Sequence, residues 1–303
     1  MPIYFDPPPV FHMHIPKTGG TTTMQWLQST YRVRHQIDLT IPIIAAHSPE
    51  QLASFRYHHA FHDGSNMMKW TNRSDLLVFT ILRDPIERSV SNFEHHRRHV
   101  LQNPERFSAR IKSRANKDIV DIEYQQLANV VSTQSNSLVG RDDYAAFLNK
   151  LREHRATDDD STSPQTYAKE RVDSTPQQTF DRAVAWLRTM PVVGLTERFD
   201  EAMQLIADLL GVPPPARRLA TNINPQRHDL NQLYRSTLHP EALAKLEQIN
   251  RYDFELYAIA RDLFEAQWAR FSTRRSRRYS IAPRLKMLKH RLLDVPRLLD
   301  RRS

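Results

Sequence analysis

Short apolar runs alternate with segments of helical periodicity along most of the chain. Residues 76–82, LLVFTIL, are apolar at nearly every position, a pattern typical of a parallel strand covered on both faces. Residues 10–14, 39–46 and 191–195 form shorter runs, which we interpret as further strands. The run at 39–46 ends at His47, so this histidine is expected at the end of a strand.

Helical periodicity fills much of the sequence between and after these strands. It predicts helices at residues 21–31, 86–100, 118–131, 180–187, 199–210 and 240–271. Gly211 stands where a left-handed C-terminal cap belongs, and Pro213 follows it. Strands that alternate with helices indicate an α/β fold with a parallel sheet and right-handed crossovers. In such sheets the ligand binds beyond the carboxyl ends of the strands.

Composition divides the chain into one body and a tail. Residues 155–178 are rich in Thr, Ser, Asp, Gln and Pro, so we interpret them as a surface insertion. Residues 1–270 are predicted to form a single domain that contains this insertion, and residues 271–303 a basic C-terminal tail. Apolar residues follow helical spacing in the tail, with Arg and Lys between them: Leu285, Leu288, Leu292, Val295 and Leu299.

This tail pattern suits a helix that lies on an anionic membrane surface, and the alternative is a solvated extension. Pro296 is expected to interrupt the helix. Residues 270–303 carry 12 Lys and Arg against 2 Asp and Glu, whereas the other residues carry 31 against 32. The net charge of +9 is therefore a property of the tail, and no nucleic-acid partner is expected.

The residue types that are missing narrow the function classes. The chain has no cysteine, which excludes disulfides, thiolate nucleophiles and thiolate metal ligands, and fits a reducing cytosol. No apolar run approaches the roughly 18 residues that a transmembrane helix needs. The N-terminal stretch MPIYFDPPPVF has neither a basic nor an apolar signal region. We therefore expect a cytoplasmic protein, which the tail could hold at the inner membrane surface.

The first distinctive loop, PKTGGTT at residues 16–22, follows the first predicted strand and opens a helix. Glycines let backbone N–H groups approach an anion closely, and a helix N-terminus adds a positive dipole. Lys17 supplies a cation, and the threonines supply hydroxyl donors. These parts predict anion binding, and the alternative is a strand-to-helix turn that uses glycine only for its geometry.

The second loop, RDPIERSVSNF at residues 83–93, follows the apolar strand at 76–82. Arg83 could bind a phosphate through two N–H groups, and Ser91 could add a hydroxyl. Asp84 is predicted to cap the next helix and Arg88 to form an ion pair. For Arg83 and Ser91, a functional and a purely structural role remain open on local features alone.

Together, HIPKTGGTT at 14–22 and LRDPIERSVSNF at 82–93 resemble the paired motifs of the membrane-type sulfotransferase family, which includes carbohydrate sulfotransferases. Residues 192–211 and 250–260 also look like the later strand–helix segment and the closing helix of that family. The resemblance implies a P-loop-NTPase-like central parallel sheet flanked by helices. It also implies the sulfate donor 3′-phosphoadenosine 5′-phosphosulfate (PAPS), the product PAP and no metal requirement.

The resemblance assigns the two anionic ends of the donor to the two loops. It implies that the 5′-phosphosulfate is held by Lys17, Thr18, Gly19, Gly20, Thr21 and Thr22. It places the 3′-phosphate at Arg83 and Ser91. We expect an in-line displacement in which Lys17 neutralises the leaving phosphate and a general base takes the proton of the acceptor hydroxyl.

His47 is the predicted catalytic base. Members of the family often carry Gly-His at the corresponding place, and here Ala46 precedes the histidine, so a structural role is the alternative. Glu197 is a second candidate base, with helix capping as its alternative role. His12 and His14 alternate on the first strand and are predicted to be structural or to support the site.

Two further histidine clusters, at residues 58–62 and 95–99, have spacings that could suit a metal ion. Neither has acidic partners nearby, and Arg97 and Arg98 lie inside the second, so both are predicted to lie on solvated helix faces.

Two other function classes compete with sulfuryl transfer. A P-loop kinase would need the motif GxxxxGK[ST], and no lysine follows Gly19 and Gly20. A non-enzymatic protein could bind an anion or a membrane surface through its basic tail. The expected acceptor is a hydroxyl of a carbohydrate, in a sugar, a glycolipid or a polysaccharide, because the family as a whole favours such acceptors.

Overall fold

The computed structural model describes residues 7–61, 64–124, 127–128, 133–139, 175–215 and 233–293. Within them lies a five-stranded, all-parallel sheet with the strand order β2-β3-β1-β4-β5. Its strands are β1 (Val10–Met13), β2 (Gln36–Asp38), β3 (Tyr57–Ala60), β4 (Leu77–Leu82) and β5 (Val192–Leu195). Helices flank this sheet, so the predicted α/β class with a central parallel sheet is confirmed.

The helices of the described ranges are numbered in chain order. They are α1 (Gly20–Thr30), α2 (Ile41–Ala46), α3 (Pro49–Ala53), α4 (Gly64–Trp70), α5 (Pro85–Gln102), α6 (Ala109–Ala115), α7 (Gln134–Val139), α8 (Pro176–Leu187), α9 (Phe199–Leu210), α10 (Pro240–Ile249) and α11 (Arg251–Leu293). Short 3-10 turns occur at Val33–His35, Pro104–Arg106, Ile119–Asp121, Thr196–Arg198 and Tyr234–Ser236.

The central strands form the core because both of their faces are covered. Every residue of β1, β3 and β5 is buried. In register, Val10 pairs with Tyr57 on one side and with Leu77 on the other, so β1 occupies the middle of the sheet. At the β5 edge, the Gln267 side chain of α11 accepts a hydrogen bond from the N–H of Val193, 3.0 Å away. This contact protects an edge strand from pairing with another chain.

A second apolar cluster fixes α5 to the body. Ile86, Val90 and Phe93 of α5 pack in it with Ile119, Ile122, Leu127, Ala242 and Leu246. The α5 helix, which carries the second predicted motif, is therefore packed along its apolar face, and its polar face does not take part in this cluster.

The strongest sequence patterns correspond to observed elements. The strands predicted at residues 10–14, 76–82 and 191–195 match β1, β4 and β5 to within one residue at each end. The predicted C-terminal cap is also confirmed, because Gly211 has φ +66° and follows α9 directly.

The strand predicted at residues 39–46 is wrong. Residues 41–46 form α2, which has a proline in its first turn, a position that favours helix initiation. The strands on that side of the sheet are instead β2 and β3, whose sequences QID and YHHA lack a long apolar run. Sheet pairing, which sequence periodicity does not record, makes these polar segments strands.

Three helix predictions also need correction. The predicted helix at 118–131 begins as the 3-10 turn Ile119–Asp121, and residues 129–132 lie outside the described ranges. The α8 helix starts at Pro176 because Thr175 and Gln178 form a reciprocal capping box, so the predicted insertion at 155–178 includes its first turn. Residues 155–174 of that insertion lie outside the described ranges.

The helix predicted at 240–271 is two helices that meet at Asn250. The side chain of Asn250 is fully buried, where it donates to Leu246 O and accepts from the Ser89 hydroxyl of α5. The second helix, α11, continues beyond residue 270 to Leu293, and Pro296 lies outside the described ranges. No helix in the described part of the chain is both long and apolar enough to cross a bilayer.

Candidate active site

Two loops leave the carboxyl ends of the adjacent central strands. The glycine loop, residues 14–19, joins β1 to α1, and the two-residue loop formed by Arg83 and Asp84 joins β4 to α5. Parallel neighbours present these ends at one edge of the sheet, so the two predicted motifs lie side by side.

The glycine loop holds an unusual backbone conformation that its surroundings support. Lys17 has φ +72° and Gly19 has φ +86°, both in the left-handed region. A Cβ on Gly19 would lie 2.6 Å from the Phe199 ring, and one on Gly20 would lie 1.8 Å from the His14 ring. Both glycines are therefore required by close packing, and Gly19 is required by its backbone angle as well.

Hydrogen bonds tie the glycine loop to its neighbours. Within the loop, the buried hydroxyl of Thr18 donates to Ile15 O at 2.8 Å. Arg83 donates through Nη1 to Lys17 O at 3.2 Å. The hydroxyl of Thr196 lies 3.0 Å from Thr18 O and 3.1 Å from Leu82 O, so it bridges the glycine loop and the end of β4. These bonds occupy carbonyl oxygens of the loop.

The two helices that begin at the site differ in how their N-termini are satisfied. At α5, the Asp84 carboxylate accepts from the N–H groups of Ile86 and Glu87, as the sequence predicted. At α1, the N-cap is Gly19, which has no capping side chain, and the first turn has no acidic residue. The positive end of the α1 dipole is therefore not neutralised by a residue of its own first turn, which suits an incoming anion.

Positive charge accumulates beside this helix end. Burial, followed by the charges of Arg98 and Arg83, lowers the pKa of Lys17 to about 8. Burial and then the charge of Lys17 also lower the pKa of His95. Glu87 is the acid that faces Arg83, at 3.7 Å, and its Oε1 is already engaged with the N–H of Arg235. The charges of Arg98 and Arg83 thus act on Lys17, and an anion bound beside Lys17 would relieve this repulsion.

The remaining predicted donor residues lie on the same two helices. Thr21 is half-buried and Thr22 is buried in the first turn of α1, and Ser91 is half-buried on α5 one turn after Glu87. The structure thus brings Lys17, Thr18, Gly19, Gly20 and Arg83 into one group linked by the chain and by direct hydrogen bonds.

His47 does not lie at the end of a strand, because it is the C-cap residue of α2. Its Nδ1 lies 2.8 Å from Ile43 O. A carbonyl oxygen can only accept, so Nδ1 carries a proton, and Nε2 is the ring nitrogen that remains for a proton transfer. The described contacts of His47 are with α2 and the Phe55 ring, and they do not join it to Lys17.

The Glu197 carboxylate accepts two hydrogen bonds from different elements of the structure. One carboxylate oxygen accepts from the N–H of Asp84 at 2.9 Å, and the other accepts from the hydroxyl of Tyr257 at 2.8 Å. The carboxylate therefore links the Arg83–Asp84 loop to α11, a different role from both the base and the helix cap considered from the sequence.

Two histidines of the first cluster, His58 and His59, are not solvated, so the prediction is wrong for them. His58 and His59 lie on β3 and are fully buried, and His62 lies outside the described ranges. In the second cluster, His95 and His99 are exposed on α5. Among the described residues, no group of three or more His, Asp or Glu is arranged to hold a metal ion.

Instead, His59 belongs to a buried layer with His12 of β1 and His14 at the start of the glycine loop, the two histidines that were predicted to be structural or to support the site. His14 Nδ1 lies 3.1 Å from His59 Nε2, and His59 Nδ1 lies 3.0 Å from a carboxylate oxygen of Asp38. The ring of His12 stacks on His14 at 5.5 Å between centroids. Burial, followed by the charges of His59 and His14, lowers the pKa of His12.

Several residues that build the site escaped the sequence analysis. Gln134 of α7 accepts from the N–H of Arg83 and donates to its carbonyl, which fixes that peptide unit. Asp253 of α11 accepts from the N–H groups of Gln134 and Ser135, and its charge faces the fully buried Arg88. Sequence offers no signal for these contacts, because the partners are more than 50 residues apart.

A comparison with protein families agrees with this geometry. A sequence model of the Sulfotransferase family matches residues 3–259, a span that includes both loops and the whole sheet. No curated protein matches the chain at a significant level. Because the family match covers most of the chain and the two matched loops meet at one anion-favouring edge, the protein belongs to the Sulfotransferase family.

Proposed function

We propose that the protein transfers a sulfuryl group from PAPS to a hydroxyl of a carbohydrate-type acceptor and releases PAP. Membership of the Sulfotransferase family supports sulfuryl transfer in general. The choice of donor rests on one observation: Lys17 and Arg83 lie with further positive charge at a helix N-terminus whose N-cap residue, Gly19, has no side chain to cap it.

The residues present fit a donor that carries anionic groups at both ends. Packing against Phe199 and His14 requires glycine at positions 19 and 20, and the loop then leads directly into the N-terminus of α1, where backbone N–H groups can bind a phosphosulfate. In this proposal the 5′-phosphosulfate is bound by Lys17, Thr18, Gly19, Gly20, Thr21 and Thr22. Arg83 and Ser91 bind the 3′-phosphate from the neighbouring loop and helix.

The chemistry assigned to the site is an in-line displacement. The acceptor oxygen forms a bond to sulfur while the bond from sulfur to the phosphate oxygen breaks, and PAP leaves with the bonding electron pair. Lys17 offsets the negative charge that develops on that phosphate oxygen, and loop amides stabilise the sulfuryl oxygens. The hydroxyl proton moves to Nε2 of His47, whose Nδ1–H is held by Ile43 O.

The acceptor is proposed from the branch of the family that the two motifs resemble. A sugar, a glycolipid or a polysaccharide would supply the hydroxyl. We also propose a cytosolic location in which the basic tail brings the enzyme to lipid-linked acceptors at the inner membrane surface.

Transfer of labelled sulfate from PAPS to glycan and lipid fractions of the host tests the proposed reaction. Wild-type protein should label one fraction. In a separate binding assay the protein should bind PAPS, and ATP with Mg²⁺ should not bind in its place. Labelling of neither fraction, with PAP binding absent, would overturn the proposal.

The catalytic base is tested by a pair of variants. His47→Ala should lower the transfer rate by about 10²–10⁴-fold, the usual contribution of a general base, while PAP affinity stays unchanged. Glu197→Gln is the matched control, because an amide oxygen can still accept from the N–H of Asp84 and most of the turnover should survive. Unchanged turnover in His47→Ala would remove this residue from the mechanism, and a comparable loss in Glu197→Gln would make Glu197 the base.

A further inference from the structure

The polar face of α5 extends beyond residue 93, where the second motif ends. Glu87, Ser91, His95 and Arg98 are separated by four, four and three residues, so they lie on one face of the helix. Arg83 contacts this face at its N-terminal end, through Glu87. The face therefore leads from the proposed 3′-phosphate residues toward His95 and Arg98.

One N–H group of the half-buried Arg98 side chain lacks an acceptor. Its Nη1 atom is buried and has no hydrogen-bond partner among the described residues. The neighbouring Arg97 differs, because its Nη1 lies 3.7 Å from a carboxylate oxygen of Glu94. A buried guanidinium donor that lacks an acceptor costs free energy, so a site that keeps one is suited to a ligand that supplies the acceptor.

The position of Arg98 relative to Lys17 indicates which ligand group this would be. Helical side chains lean toward the N-terminus of their helix, so Arg98 leans toward Ser91 and the glycine loop. Its charge is close enough to Lys17 to be the largest cause, after burial, of the lowered pKa of that lysine. Neither side chain forms an ion pair within the described part of the chain, so no carboxylate there pairs directly with Lys17 or Arg98.

We propose that Arg98 binds the same anionic group as Lys17, which under the proposed function is the 5′-phosphosulfate end of the donor. A guanidinium presents a planar pair of N–H donors, which suits two oxygens of a phosphate or sulfuryl group better than an ammonium does. Lys17 and Arg98 then approach this group from different elements, the glycine loop and the middle of α5. His95, on the same face, lies close enough to feel the charge of Lys17.

Binding of three adenosine nucleotides to Arg98→Gln, Arg98→Lys and Arg97→Gln tests this inference by calorimetry. Arg98→Gln should weaken binding of PAP and of adenosine 5′-phosphate by about 10- to 100-fold, the usual cost of losing a hydrogen bond between charged groups. Binding of adenosine 3′-phosphate, which lacks the 5′ group, should be unchanged. Arg98→Lys should fall between Arg98→Gln and the wild type.

The control Arg97→Gln should bind all three nucleotides as the wild type does. A general structural defect would weaken all three together, so equal losses for the 5′- and 3′-phosphates in Arg98→Gln would overturn the inference. If Arg98→Gln binds PAP as tightly as the wild type does, the inference about Arg98 is wrong, while the proposed function is unaffected. Failure of the wild-type protein to bind PAP would overturn the proposed donor and this inference together.

Discussion

At the scale of single residues, Lys17 combines a left-handed backbone conformation with a partly buried cation, and both bear on the proposed anion binding of the glycine loop. It holds a left-handed φ of +72°, which costs a non-glycine residue about 1–3 kcal/mol and persists only where the surroundings enforce it. Arg83 bonds its carbonyl, and Thr196 bonds the next one. The backbone of Lys17 is therefore strained, and its ammonium group lies where the charges of Arg98 and Arg83 act on it.

The lowered pKa of Lys17 predicts a pH dependence of donor binding. A pKa of about 8 means that the free protein loses this proton as the pH rises through about 8, and the neutral amine attracts an anion less strongly. Affinity for PAP should therefore fall between pH 7 and pH 9.5, a range in which the phosphates of PAP stay ionised. Titration calorimetry across this range measures the effect.

The variant Lys17→Ala provides the comparison. It should bind PAP at least about tenfold more weakly at pH 7, and the difference from the wild type should shrink toward pH 9.5. A pH profile that keeps the wild-type slope in Lys17→Ala would assign the titration to another group.

At the scale of elements, the start of α1 is supported by His14, the residue that follows β1, and by His59 of β3. The ring of His14 fills the space beside Gly20, and its hydrogen bond to His59 continues to Asp38 at the edge of the sheet. The bond from His59 holds the pKa of Asp38 below its ordinary value. The glycine loop therefore rests on a connected layer of buried rings and not on an apolar surface alone.

Gly20→Ala tests this support. The added methyl would overlap the His14 ring, so the variant should lose about 1–3 kcal/mol of unfolding free energy and bind PAP more weakly. Removing the ring in the double variant Gly20→Ala with His14→Ala should restore part of the binding. Urea unfolding and calorimetry give the two quantities.

Gly211→Ala is the matched control for this substitution. A Cβ there meets nothing within 4 Å, but φ is +66°, so stability should fall by about 1 kcal/mol while PAP binding is unchanged. Wild-type PAP binding by the single variant Gly20→Ala would contradict the packing of His14 against the loop.

At the scale of the whole molecule, α11 connects the core to the basic tail without a break. Leu256, Ala260 and Phe264 of this helix are fully buried, and Arg274 reaches Asp208 of α9 at 3.3 Å. Beyond that ion pair the helix continues to Leu293 into the segment that carries most of the net charge. The tail is thus attached to the body by a helix.

The tail is expected to bind anionic membranes. Full-length protein should sediment with vesicles that contain anionic phospholipids, and raised salt should release it, because screening weakens the attraction. A chain that ends after Arg274 keeps the contact with Asp208 and should stay in the supernatant while retaining PAP binding. Equal sedimentation of the two proteins would end the membrane proposal.

Much of this architecture was accessible from local sequence. The strands β1, β4 and β5 are buried on both faces, so their residues are apolar almost without interruption. Asp84 and Gly211 act through their own backbone neighbours, so residue type alone identified them as caps. By contrast, β2 and β3 are strands because of their partners: the sequence predicted no element at residues 36–38, and it predicted a solvated helix face for the histidines at 58–62.

The sequence by itself determined the sheet class, the two loop motifs and their order, because glycines, caps and apolar runs act over a few residues. Only the tertiary structure decided that His47 ends a helix, that Glu197 links the Arg83–Asp84 loop to α11, and that the charge of Arg98 lowers the pKa of Lys17. Each of these relations depends on how elements pack across the edge of the sheet. Residues that are far apart in the sequence together determine the charge and the burial at that edge, so no single segment of sequence predicts them.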